Sequence, residues 1–265
     1  MNQNELDRNN DLLNWEKEYK RNYPVEKFQE INHHWWKDCY EQIEQFVLKN
    51  VSLNANSKIL ECGCGTGNSS LRLANKVKKV VLFDISSNAL KCARQLSEYY
   101  NVHNVEFING DIFHMPFDDK QFDLCWNIGV VEHYEVNRAK EILKEMLRVI
   151  KNSGYICIGV PNFLSLAILK ARFLSFRFLK PLTFWIKGYR LTDERKYDAK
   201  TLENLLLTAS KEKGIKLERI SIGYVGSILP IETPGYIFRK INNFCNRLFN
   251  KFSFLILMTA KINYQ

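Results

Sequence analysis

The run Glu61-Cys62-Gly63-Cys64-Gly65-Thr66-Gly67-Asn68 sets three alternating glycines between the apolar pair Ile59-Leu60 and a helical window. Glycine lets the chain turn sharply and lets backbone approach a ligand closely, and the helix that follows offers free N–H groups. A phosphate loop would close on Gly-Lys-Ser or Gly-Lys-Thr, which is missing here. The dinucleotide fingerprint would want its third glycine at position 68, which is Asn. A second signal is Val80-Val81-Leu82-Phe83-Asp84-Ile85, an apolar run that ends in an acid 17 residues after Gly67. A carboxylate there can accept both hydroxyls of a ribose. Val105 to Asp111 brings another acid to the end of another apolar run, placed to accept the exocyclic amine of an adenine. Three such tips side by side would form an adenosine site. Glu132-His133 follows the next apolar run. Imidazole titrates near neutral pH, so His133 is a candidate general base for an acceptor that must lose a proton, with a packing role as the alternative.

These residues need a scaffold that brings strand tips together. Short apolar runs at Lys58–Cys62, Lys79–Phe83, Val105–Asn109, Phe122–Asn127 and Tyr155–Val160 alternate with helical windows at Ser69–Asn75, Asn88–Tyr99 and Arg138–Ile150. That alternation predicts an α/β fold with right-handed crossovers, a doubly wound, mostly parallel sheet covered by helices on both faces. A helix over Ala199–Lys213 and strands over Lys216–Ile222 and Phe254–Ile262 bring the sheet to seven strands. Residues 1–55 read as a helical cap rich in Trp and Tyr, 56–161 as the core, 162–198 as an insertion and 199–265 as the remainder of the same domain. Tyr19, Tyr40 and Tyr134 are candidate acceptor contacts, although aromatics more often pack. His33 and His34, read as adjacent helical residues, should point to different sides, which argues against a shared metal.

At this point the chain resembles the class I S-adenosylmethionine-dependent methyltransferases, of the Rossmann-like, methyltransferase type 11 kind found in ubiquinone and menaquinone biosynthesis. The resemblance covers about residues 57 to 160. It implies that Glu61, Gly63, Cys64, Gly65 and Gly67 wrap the methionine part of the cofactor, with Gly63 meeting its amino group. Asp84 with Ile85 would hold the ribose, and Asp111 with Ile112 would read the adenine. Asn127 and Ile128 would stand where the methyl group is presented, and S-adenosylhomocysteine would be the product. Lys151-Asn152-Ser153-Gly154 departs from the family's usual Lys-Pro-Gly-Gly turn. The resemblance also implies that 162–198 forms a lid over the acceptor pocket.

Composition bounds the partners. Net charge is +9 and pI near 9.1, and between Lys170 and Lys196 there are eight Lys or Arg against the acids Asp193 and Glu194. Such a bias permits nucleic acid, an anionic membrane surface or an acidic small molecule. Nucleic acid is disfavoured: no RNA-binding module is appended, and Asn127-Ile128-Gly129-Val130 replaces the polar-Pro-Pro-aromatic motif of base-amine methyltransferases. On a helical wheel Phe163, Leu164, Ala167, Ile168, Ala171, Leu174 and Phe178 share an arc, with Lys170, Arg172, Arg177 and Lys180 elsewhere. Ile237, Ile241, Phe244 and Leu248, with Arg239, Lys240, Arg247 and Lys251, form a cleaner amphipathic window. These segments either bury their apolar faces as a lid or subunit contact, the favoured reading, or rest on an anionic membrane surface to reach a lipid-like acceptor. Apolar runs too short to span a bilayer, and a polar beginning, make the cytoplasm the expected compartment. Seven cysteines without repeating spacing suggest neither a disulfide framework nor zinc. The expected function is methyl transfer to a small molecule on oxygen, carbon or nitrogen, and a non-catalytic cofactor-binding protein of the same fold is the rival.

Overall fold

The computed structural model describes residues 12–20, 23–174 and 194–264. Seven strands form one sheet: β1 (Lys58–Cys62), β2 (Lys79–Asp84), β3 (Val105–Asn109), β4 (Phe122–Ile128), β5 (Ile150–Pro161), β6 (Ile215–Val225) and β7 (Leu255–Tyr264), in the order β3-β2-β1-β4-β5-β7-β6. The first five strands pair in parallel, and β7 runs antiparallel to both β5 and β6. The sheet is thus the doubly wound, mostly parallel one expected. The order reverses between β1 and β4, which opens a crevice beyond their C-terminal ends.

Alternation along each strand feeds two cores. Ile59, Val80, Leu82, Leu124 and Trp126 face one side of the sheet, and Leu60, Val81, Phe83, Cys125 and Ile156 face the other. Among the described residues the α-helices are α1 (12–18), α2 (Gln29–Asn32), α3 (His34–Asn50), α4 (Asn68–Leu71), α5 (Ser87–Tyr99), α6 (Val136–Val149), α7 (Leu166–Leu174), α8 (Ala199–Glu212) and α9 (Gly235–Phe249). On the first face α3 buries Trp35, Cys39, Ile43 and Val47, a stripe at steps of four, and α5 buries Ala89, Leu90, Ala93 and Leu96. On the second face α6 buries Ile142, Leu143, Met146 and Val149, and α8 buries Leu202, Leu205, Leu206 and Ala209. Side-chain caps start α5 and α8: Ser86 Oγ accepts from Ala89 N–H at 3.1 Å, and Asp198 Oδ1 from Thr201 N–H at 2.8 Å. Truncating a fully buried member such as Ile142 to alanine would cost about 2–5 kcal/mol. Cys92, Cys125 and Cys157 are buried as small hydrophobes.

Three local expectations need correction. Strand β5 begins at Ile150, five residues early, because Ile150 pairs with Phe122 and a register shift absorbs Lys151 to Gly154, where Ser153 takes φ 64°. His33 is not helical: it is the N-cap of α3, its Nδ1 accepts from Trp35 N–H at 3.3 Å, and its ring stacks on His34 at 4.6 Å instead of diverging. Leu164 does not join the buried arc of Ala167, Ile168 and Ala171, because α7 starts at Leu166 and leaves Leu164 exposed. Phe178, Arg177 and Lys180 lie outside the described residues, as does most of the insertion expected over 162–198. No helix among the described residues is long and apolar enough to cross a membrane.

Candidate active site

The turn after β1 is built from backbone. Gly63 and Cys64 N–H donate to Phe83 O at 2.8 and 3.1 Å, and Gly67 N–H donates to Cys64 O at 2.7 Å. Gly63, Gly65 and Gly67 all have positive φ, between 53° and 69°. A Cβ at Gly63 would lie 2.6 Å from Val130 Cγ2, and one at Gly65 would lie 2.4 Å from the Tyr19 hydroxyl, so conformation and space both exclude larger residues. Cys64 and Thr66 are buried between them. Asn68 opens α4 with both polar side-chain atoms buried and without a hydrogen-bond partner.

Two carboxylates flank this turn. Asp84, at the tip of β2, accepts from Gly65 N–H at 2.8 Å on one oxygen and from Ser86 N–H at 2.9 Å on the other, so it holds the glycine turn in place. Each oxygen keeps further acceptor capacity. Glu61, inside β1, accepts from Ser70 N–H at 3.2 Å, and Trp126 Nε1–H donates to Ser70 Oγ at 2.9 Å. Among the described residues no Lys, Arg or His pairs with either acid. Burial pushes the Asp84 pKa up to about 6, against the pull of the Ser86 and Gly65 amides, and the charge of Glu16 adds to the rise. Burial likewise pushes Glu61 up to about 7, with the Asp84 charge contributing. An acceptor-rich pair without cations repels phosphate and suits a ligand that brings hydroxyls, amines or positive charge.

The neighbouring tips complete the crevice. Asn109 Nδ2–H donates to Asp84 O at 3.0 Å and to Ile85 O at 2.8 Å, which fixes the bend after β2. Asp111 Oδ1 accepts from Phe113 N–H at 3.0 Å in a local turn, and Ile112 is buried beside it. Asn127 is fully buried and its amide donates to Met146 Sδ at 3.1 Å, so its side chain turns toward α6. Ile128 packs against Gly159 of β5. His133 closes a 3-10 turn, Val131–His133; its carbonyl accepts from Arg195 Nη1 at 2.8 Å, and Arg195 N–H donates to Glu132 O at 2.8 Å. Tyr197 Oη donates to Tyr134 O at 3.2 Å, so the 194–197 segment pins the loop that carries His133.

Helix α1 joins these parts. Trp15 meets the His133 ring edge to face at 5.0 Å, and Tyr19 stands over Gly65. Glu16 accepts from Ser87 N–H at 2.6 Å and from Asn88 N–H at 3.3 Å, so a carboxylate sits at the N-terminus of α5. Sequence reading gave Tyr19 only as an acceptor contact and missed Trp15 and Glu16. Their one signal was Trp15-Glu16-x-x-Tyr19, a helical spacing in an otherwise polar stretch. Tyr40 stacks on Trp36 at 5.9 Å, and Tyr134 meets Phe113 at 5.3 Å. A cavity of about 360 Å³ bounded by Leu48, Val51, Tyr155 and Arg219 lies before the N-terminal end of β1 and touches none of the site residues.

Residues 59–154 match the model of the methyltransferase domain family. Demethylmenaquinone methyltransferase of Bacillus cereus is 27% identical over 185 residues, 66% of this chain and 76% of that protein. A SAM-dependent methyltransferase structure from Aquifex aeolicus superposes with TM-score 0.55 at 17% identity, over 90% of this chain and 98% of that one. A protein structure from Pyrococcus horikoshii OT3 does so with TM-score 0.57 at 21% identity, over 89% and 97%. With a glycine turn braced by a strand-tip acid at the sheet's reversal point, the chain has the fold of these methyltransferase structures and, over residues 59–154, is similar to the methyltransferase domain family.

Proposed function

We propose that the chain transfers the methyl group of S-adenosylmethionine to a small organic acceptor, and that the crevice between β1, β2 and β4 holds the donor. The observation that carries this reading is the pair Glu61 and Asp84, buried beside the glycine turn with no cation among the described residues. When bound, S-adenosylmethionine supplies an electrophilic methyl group on a positively charged sulfur. Asp84 would accept the ribose hydroxyls with its remaining lone pairs, Asp111 would accept the adenine amine, and the backbone at Gly63, Asn127 and Ile128 would hold the methionine end. Methyl transfer is an in-line displacement, so the main task of these residues is to align donor and acceptor and to exclude water. Trp15 and Tyr19 contribute the exclusion by lying over the turn and against His133. His133 takes the acceptor proton where the acceptor is a hydroxyl or an activated carbon.

Titration calorimetry with S-adenosylmethionine and S-adenosylhomocysteine tests the donor site directly. Binding of both, followed by formation of S-adenosylhomocysteine when acceptors of graded size are added, is the expected result. A folded protein that binds neither overturns the reading.

A further inference from the structure

Helix α9 is turned the opposite way from a core helix. Its buried side carries Phe238 and, unusually, Asn242, whose amide donates to Asp38 Oδ2 at 2.9 Å and whose Oδ1 accepts from Ser227 Oγ at 2.8 Å. The apolar stripe expected to pack inward instead faces solvent: Ile241, Phe244 and Leu248 are 42%, 62% and 57% exposed. Tyr236 at 77%, Phe249 and Phe252 extend it. Soluble surfaces seldom present so many large apolar side chains on one element without a partner.

Charge selects the partner. From Gly235 to Phe252 there are four Lys or Arg and no acid, and Arg247 and Lys251 are exposed among the aromatics. From Asn162 to Leu174, in and before α7, there are again two cations, Lys170 and Arg172, and no acid, while Leu164, Leu166 and Leu169 are exposed. The two segments are tied together at both ends. Asn162 Nδ2–H donates to Lys251 O and Ser253 O, each at 2.8 Å, and Lys170 pairs with Glu232 in the turn before α9. A two-fold contact with a second copy would set these cations against one another. An apolar face flanked by the exposed cations Arg172, Arg247 and Lys251 matches an interface of acyl chains under anionic headgroups.

We infer that α9, with the start of α7, docks this protein on an anionic lipid bilayer surface through Phe244, Leu248, Phe249 and Phe252, with Arg247 and Lys251 at headgroup level. The face adjoins the candidate active site: α7 leaves the tip of β5, α9 leads into β7, and Leu255 of β7 pairs with Pro161 at that same end of the sheet. Docking therefore brings the acceptor side of the crevice near the membrane and favours an amphiphilic acceptor, and only this consequence rests on the methyltransferase reading.

The test is co-sedimentation of the full chain with vesicles of mixed phosphatidylcholine and phosphatidylglycerol, against phosphatidylcholine alone, at low and high salt. Expected are strong partition to the anionic vesicles, little to the neutral ones, and weakening in high salt. The double variants Phe244→Glu with Leu248→Glu, and Arg247→Glu with Lys251→Glu, should each partition at least about tenfold less. Because these side chains are exposed, the variants should keep the wild-type melting temperature and donor affinity. Wild-type protein left in the supernatant at low salt overturns the inference, as does partition unchanged in the variants. A wild-type dimer in light scattering that Phe244→Glu converts to monomer also overturns it, by giving the face to a second copy. Vesicle binding without donor binding would leave this inference standing and sink the function proposed above.

Discussion

Two sets of carboxylates in this protein are buried or half-buried for opposite ends. On α6, Glu145 accepts from Arg148 Nη2 and Nε at 2.8 and 2.9 Å and from Met115 N–H at 2.9 Å, while Arg148 also reaches Asp119 and the carbonyls of Phe117 and Met115. Burial pulls the Glu145 pKa up, but Arg148 and the Met115 amide outweigh it and hold the carboxyl below its ordinary range. The Glu145 bond holds the Arg148 guanidinium charged far above neutrality. At the strand tips, among the described residues, Glu61 accepts from the Ser70 amide and hydroxyl and Asp84 from backbone amides, none of them charged, and burial carries their pKa values up to about 7 and about 6. The first set is complete within the chain and fixes the Met115 to Asp119 loop. The second is incomplete, and a cationic, hydroxyl-bearing ligand would complete it. A site for charge chemistry is here distinguishable from a structural ion pair by which acids lack their counter-charge.

The sharpest break would come at the crevice itself. His133→Ala should lower turnover by roughly 10²–10⁴-fold with donor affinity unchanged if His133 is the base, measured as S-adenosylhomocysteine release. Unchanged turnover would return His133 to the packing role that its contact with Trp15 also allows. Asp84→Ala should weaken donor binding by roughly 1.5 to 3 kcal/mol in calorimetry. In the wild type the ionised carboxylate is the form that accepts, so donor affinity should fall about tenfold per unit as pH drops below about 6. A pH-independent affinity would remove Asp84 from the donor site.

On the structural side of the comparison, Arg148→Met should cost about 1 to 2.5 kcal/mol of unfolding free energy at neutral pH. Glu145 is depressed in the fold, so the stability it contributes is present above the ordinary glutamate range and lost as pH falls through its folded value. The cost of Arg148→Met should therefore shrink in acid. The sign reverses at the tip. Glu61 is raised to about 7 in the fold, so its contribution is fullest below the ordinary 4.5 and is lost as pH rises to about 7. Glu61→Gln should then stabilise the unliganded protein by about 1 to 2 kcal/mol at pH 8 and by little at pH 4, as read from denaturant unfolding. A destabilised Glu61→Gln protein at pH 8 would mean that the strand-tip acid is structural after all.

The strand tips were legible because their signals are local. Glycines with positive φ, an apolar run and a terminal acid lie within a few residues of one another, and the sheet merely aligns them. A mostly parallel sheet of seven strands followed from alternation of the same kind, whereas the strand order and the antiparallel course of β7 are visible only in the structure. What escaped depends on distant partners. Glu16 meets Ser87 and Asn88 some 71 residues away, and nothing within α1 announces that contact. The stripe of α9 was readable as a stripe, yet periodicity cannot say which side faces inward. Asp38 and Ser227 decide it by holding Asn242. The early start of β5 was hidden by Lys151 to Gly154, whose composition signals a turn although the chain there is an irregular strand.

The seat of Tyr19 on Gly65 has a kinetic corollary. Any molecule that settles on the glycine turn must compete for the volume its phenol ring fills, and α1 is fastened by Glu16 to the start of α5. The expectation is that α1 lifts to admit the ligand and settles back over it. In stopped-flow mixing the observed rate should climb with ligand concentration and then plateau at the opening rate, and Glu16→Gln, by loosening the clasp, should raise the plateau.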